Sequence, residues 1–181
     1  AGLGLIGMAL NERTDLAIGA EAVSALRSDA MPHAGILSSY IALLCLGKSD
    51  FEAINGFRED SYFAAALGLE QVPSEGIVRQ RMDANAASYK TVVEEAAIAF
   101  LRRSGARLTP LDNGLMPLDC DVTPFDNSQS KKEGVSRTYK GEDGYAPMAA
   151  YLGQEGYCLE LELREGSQHC QKGTPEFLQR V

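Results

Sequence analysis

The chain has 181 residues, 45% of them hydrophobic and 23% charged, which is ordinary globular composition with length for one or two domains. No apolar run approaches a membrane span, the longest being residues 40–46, so no membrane partner is expected. The net charge of -8, taken alone, argues against nucleic acid, because phosphates call for basic surface.

Residues 1–110 read as mostly helix. The first clear one covers 33–46 and closes at Gly47. Ser49-Asp50-Phe51-Glu52 reads as a capping box for a short helix carrying Phe51, Ile54 and Phe57. Asp60 opens another short helix through Leu67, stopped by Gly68. Pro73-Ser74-Glu75 opens a helix through Met82. Residues 85–104 form a long helix, with Tyr89, Val92, Val93, Ala96, Phe100 and Leu101 at helical spacing and Gly105 at its end. Short helices on tight turns suit a helix-turn-helix-like DNA reader. They suit a plain helical bundle as well.

After Thr109-Pro110 the pattern changes. A first strand covers 115–123, with Leu118, Cys120 and Val122 facing one way and Asp119, Asp121 and Thr123 the other. A polar loop follows over 126–143. It is locally basic, with Lys131, Lys132, Arg137 and Lys140 against Asp126 and Glu133. A second strand spans 144–152 and a third 157–164. The third alternates Tyr157, Leu159, Leu161 and Leu163 with Cys158, Glu160, Glu162 and Arg164. Only Gly153-Gln154-Glu155-Gly156 separates the two, so they form an antiparallel hairpin. Thr174-Pro175-Glu176 then starts a helix, with Thr174 as its N-cap.

Asp119 and Asp121 lie on one strand face, about 6.6 Å apart along the strand. Three kinds of chemistry fit them. The first is none, with both carboxylates solvated. The second is a phosphatase-like D-x-D-x-T, matched by Asp119 to Thr123, in which one aspartate attacks phosphorus and the next handles the proton. That chemistry calls for a parallel crossover after the motif, where this sequence offers a hairpin. The third is a carboxylate on the central strand of a two-metal phosphoryl-transfer site. Asp126, beyond the strand, reads as a turn former. Arg79 and Arg81 read as surface charge or as contacts to DNA. Tyr139 and Tyr145 are able to stack on bases, although hairpin packing suffices for Tyr145. His169-Cys170 lacks further ligands at metal spacing and makes no zinc site. The four cysteines, with no CxxC spacing, read as reduced thiols of a cytoplasmic protein.

The run LDCDVTPFDNSQSKKEGVSRTYKGEDGYAPMAAYLGQEGYCLELELREGSQHCQKGTPEFL, residues 118–178, resembles the opening of the catalytic domain of bacterial insertion-sequence transposases of the DDE class. The upstream segments LLCLGKSDFEAINGFRED and VPSEGIVRQRMD resemble the helical N-terminal region of the same group. The resemblance implies an α+β architecture. A helical, DNA-binding region over 1–110 would precede the start of a ribonuclease H-like domain over 111–181, namely strand, antiparallel hairpin and helix. It implies Asp121 as the first catalytic acid and a ligand of Mg²⁺ or Mn²⁺, with Asp119 as a supporting ligand. It further implies element-end and target DNA as partners, Lys131, Lys132, Arg137 and Lys140 on its phosphates, and a homodimer in the synaptic complex. The activity implied is cut-and-paste transposition. The family's second Asp and its Glu fall beyond the first helix of that domain, so the chain is expected to be a fragment, inactive alone. Two other classes stay open: a non-catalytic binder of element ends, and a small phosphohydrolase using Asp119 and Asp121.

Overall fold

The computed structural model describes residues 2–23 and 31–181. Residues 1 and 24–30, part of the stretch read as mostly helical, lie outside the described residues. The architecture is α+β, in two compact units, Ala1–Ala106 and Arg107–Val181.

The first unit is helical. It contains α1 (Gly2–Arg13), α2 (Leu16–Glu21), α3 (His33–Cys45), a 3-10 helix (Phe51–Phe57), α4 (Ser61–Leu67) and α5 (Glu75–Arg103). Helix α3 ends where Gly47 takes φ +74, so that Lys48 N–H donates to Leu43 O and Gly47 N–H to Leu44 O. These two bonds satisfy carbonyls that the helix end would otherwise leave open. The 3-10 helix is capped by Asp50, whose carboxylate accepts from Ala53 N–H at 2.9 Å. Ser49, expected as the cap from the S-x-x-E spacing, stands one residue too early. Asp60 caps α4 by accepting from Tyr62 and Phe63 N–H.

The helices expected over 73–82 and 85–104 are one continuous α5 with non-helical dihedrals at Asn85 (φ -124, ψ 19). Asn85 Nδ2 donates to Arg81 O at 3.0 Å, and a side chain inserted into the ladder is a recognised cause of a kink. Two apolar clusters hold the unit together. One gathers Leu16, Ile36, Val78, Tyr89 and Val92, and the other Leu43, Ile54, Phe63 and Leu67. Phe57 stacks on Phe63 at a centroid distance of 4.7 Å. No described helix is long and apolar enough to cross a membrane.

The second unit carries two three-stranded antiparallel sheets. Its elements are β1 (Leu118–Val122), β2 (Phe125–Asp126), β3 (Ser136–Arg137), β4 (Asp143–Tyr145), β5 (Met148–Leu152), β6 (Tyr157–Glu162) and α6 (Thr174–Arg180). One sheet has the order β1-β5-β6, the other β2-β4-β3. β5 and β6 form the expected hairpin, turning where Gly153 and Gly156 take positive φ, and β1 lies beside β5. The single strand expected over 144–152 is broken at Ala146-Pro147. Proline has no N–H for a ladder, and at this break the chain passes from one sheet to the other. The loop expected over 126–143 contains β3 and borders β2 and β4, strands too short to announce themselves by alternation.

The third strand, expected through Arg164, stops at Glu162, and in its second half the charged face is the one that turns inward. Glu160 is 7% exposed and Arg164, just beyond the strand, 3%, whereas Leu161 is 53% exposed and Leu163 66%. Helix α6 explains why charge is turned inward here. Arg180 donates from Nε to Glu160 at 3.2 Å and from Nη2 to Glu162. Arg164 donates from Nε to Glu162 at 2.6 Å. Both guanidinium groups lie over the ring of Phe177, at 5.7 Å for Arg164 and 5.6 Å for Arg180. Phe177 is fully buried and packs with Met148 and Ala150, and with Cys120 and Val122 of β1. Residue 173 rather than Thr174 takes the cap position of α6, with Gly173 at φ +75.

Candidate functional site on the aspartate strand

Strand β1 pairs residue by residue with β5: Asp119 stands opposite Tyr151 and Asp121 opposite Ala149. Alternation turns Cys120 and Val122 to the Phe177 core and leaves both aspartates on the opposite face, where both are exposed. Ala149 offers little bulk opposite Asp121, while Asp119 shares its register with a tyrosine. Thr123 Oγ1 lies 3.5 Å from Asp121 Oδ2, two residues along on the same face. The D-x-T spacing carries that signal, since residues two apart on a strand share a face. Among the described residues β1 lies at the edge of its sheet, beside β5 as expected for strands one and two, and β5 is the central strand.

The basic residues sit on the neighbouring sheet. Arg137 of β3 pairs with Asp143 of β4 in register, and its Nη1 lies 3.4 Å from Asp143 Oδ1. Lys131 and Lys132 are exposed in the segment before β3. Tyr145 Oη donates to Glu133 O at 2.6 Å, which ties that segment to β4. Tyr145 therefore has a structural task. Lys140 and Tyr139 form the tip of the β3–β4 turn, closed by Gly141 N–H donating to Thr138 O at 3.0 Å. Tyr139 Oη reaches to 3.5 Å of Val122 O, which brings this tip against the end of β1, next to Asp121. Sequence spacing gave no sign of that approach.

Asp126 and Arg79 have partners within the fold. Asp126 accepts from Ser128 N–H at 2.9 Å and from the Ser128 hydroxyl, and these bonds hold its carboxyl below the usual range. It is a turn former, as its place in the sequence suggests. Arg79 is paired with Glu75 at 2.8 Å and lies 5.4 Å from the centre of the Phe51 ring. The four cysteines are free thiols. Among the described residues, no group of three or more His, Cys, Asp or Glu comes together to hold a metal.

The donor set suits one hard cation. Two carboxylates on one face match the few protein ligands that Mg²⁺ takes, the remainder of its shell being water or phosphate oxygen. A second ion, as in a two-metal clamp, requires further carboxylates. The parallel neighbour that a phosphatase-like use of Asp119 calls for is not seen among the described residues, where β1 pairs antiparallel. Comparison with protein-family models, with curated proteins and with solved structures gives no match.

Proposed function

We propose that this chain is part of a DDE-class insertion-sequence transposase, with residues 111–181 the opening of a ribonuclease H-like catalytic domain. The reading rests on the resemblance of residues 118–178. It draws support from the order strand, antiparallel hairpin, helix. The observation that carries it is the approach of Tyr139 Oη to Val122 O at 3.5 Å. It brings the tip of the basic turn, Tyr139 and Lys140, to the end of the strand that carries the aspartates, where a phosphodiester substrate could meet both.

In this reading Asp121 is the principal ligand of Mg²⁺ or Mn²⁺, oriented by the Thr123 hydroxyl, and Asp119 supports it. When bound, such an ion stabilises charge on the phosphoryl oxygens and lowers the pKa of an attacking water. Lys131, Lys132, Arg137 and Lys140 neutralise flanking phosphates and fix the position of the backbone. The second Asp and the Glu of the family have to come from outside the 181 residues. The helical unit binds element ends, and a second copy completes the synaptic complex.

The test is DNA binding by the 181-residue chain across a range of salt concentrations. Replacing Lys131, Lys132, Arg137 and Lys140 by Ala flattens the slope of log K against log salt by roughly 0.9 for each phosphate no longer neutralised. An unchanged slope means that these cations only face solvent, and the reading loses its nucleic-acid surface.

A further inference from the structure

Tyr139 is the aromatic of the basic turn without a packing task. It is 72% exposed, the highest exposure among the large hydrophobic and aromatic residues described, and its hydroxyl makes only the long approach to Val122 O among the described residues. Lys140 follows it directly, and Arg137 precedes it by two residues on β3. Phe125, 54% exposed, stands in register with Tyr145 of β4, so alternation puts it on the same sheet face as Arg137, which stands in register with Asp143. An aromatic left largely in water between two cations costs solvation and gives the fold only this one long contact in return. It is the arrangement that binds a base by its face and a phosphate by its charge.

We propose that Tyr139 is a stacking platform for an unpaired base next to the carboxylates of β1, so that the site takes a frayed or single-stranded nucleic-acid end in preference to intact duplex. Its position sets the geometry. The ring lies at the end of β1, one residue beyond Asp121, so a base stacked there puts its own backbone phosphate beside the aspartate face. Phe125 lies just past the same strand end, on the face that carries Arg137. This inference rests on the nucleic-acid reading of the site and specifies the form of its substrate.

The experiment uses the full 181-residue chain and fluorescence anisotropy with three labelled DNAs: a blunt duplex, the same duplex with a short thymidine overhang, and the overhang strand alone. The overhang duplex is expected to bind about tenfold more tightly than the blunt one, on the order of a single stacked base. Tyr139→Ala removes that preference and leaves blunt-duplex binding in place. Tyr139→Phe keeps it, because the ring stacks and the hydroxyl does not. The exposure of Tyr139 means that neither variant threatens the fold. Equal binding of blunt and overhang duplex by the unaltered chain overturns the inference while sparing the nucleic-acid reading. So does a preference that survives Tyr139→Ala. A preference lost equally in Tyr139→Phe assigns the effect to the hydroxyl and its approach to Val122, and overturns stacking. Failure to bind any of the three DNAs overturns the nucleic-acid reading and this inference together.

Discussion

Glu160 on β6 and Arg180 on α6, twenty residues apart in sequence, form an ion pair at 3.2 Å in which the glutamate side chain is 7% exposed. The pair is one edge of a four-residue arrangement, Glu160-Arg180-Glu162-Arg164, built around the ring of Phe177. On β6 it takes the place of the apolar layer that β1 and β5 turn toward the same helix. The hydrogen bonds compensate for taking charge out of water, and removing one member exposes that cost.

Glu162 is the member whose loss is easiest to read. Burial works to raise its pKa, but hydrogen bonds from Arg180 and Arg164, together with their charges, outweigh it and hold the carboxyl below its ordinary value. A depressed folded pKa contributes stability that is complete above the unfolded value of about 4.3 and is lost as pH falls through the lower, folded value. The resistance of the second unit to denaturant is therefore expected to weaken as pH drops below about 4. Glu162→Gln flattens that dependence. It also costs roughly 3 kcal/mol at neutral pH, because Arg164, 2% exposed at its side chain, loses its carboxylate. An acid limb as steep in the variant as in the unaltered chain refutes this.

Phe177 is fully buried beneath the same network. Phe177→Ala leaves a cavity beside Met148 and Ala150 and takes the ring from under two guanidinium groups. The expected loss is about 3–5 kcal/mol, enough to unfold a marginal unit. Loss of cooperative unfolding in this variant, with the helical unit intact by circular dichroism, is the expected signature.

In the first unit, α1 meets α4 at Gly7. A Cβ there would stand 1.7 Å from Ala66 O, a backbone atom that cannot swing aside. Gly7→Ala is expected to destabilise by roughly 1–3 kcal/mol through forced separation of the helices. Gly76 in the first turn of α5 has nothing within 4 Å of a built Cβ. Gly76→Ala is expected to stabilise by up to about 1 kcal/mol, from helix propensity and a less flexible unfolded chain. Thermal melts of the two variants, moving in opposite directions, check both statements.

The proposed chemistry separates the two strand aspartates. In a protein that carries this segment together with the later acids, Asp121→Ala abolishes strand cleavage and leaves binding to element ends intact. Asp119→Ala leaves measurable cleavage. The 181-residue chain alone, in which no third acid joins these two among the described residues, is expected to nick nothing at any Mg²⁺ or Mn²⁺ concentration. Nicking of a labelled duplex by the chain itself, dependent on Asp119, favours the phosphohydrolase alternative.

Sequence carried the local features well and the long-range ones poorly. The hairpin was legible because Gly153 and Gly156 mark its turn, and the aspartate face because a two-residue period assigns faces without any tertiary knowledge. Period alone, however, does not say which face is inside. On β6 the sequence left that choice open, because the partner that neutralises Glu160 and Glu162 comes from Arg180, far along the chain. For the break between β4 and β5, the missing N–H of Pro147 was the available clue. At the site, the D-x-D-x-T spacing located both carboxylates and the threonine hydroxyl. The approach of Tyr139 to Val122 depends on a turn folding back over a strand end, which no spacing encodes.

The bend at Asn85 has a consequence in plain dimensions. Twenty-nine residues of straight helix extend about 44 Å, whereas a compact body of some hundred residues is roughly 33 Å across. An unbent strut would overshoot its own housing. Bent, it keeps both ends anchored: near the start Arg79 lies over Phe51, and at the finish Arg103 is bonded to Asp15 at 2.6 Å. Asn85 thus works as the joint that fits a member too long for its frame, and straightening it would pull one of those two anchors loose.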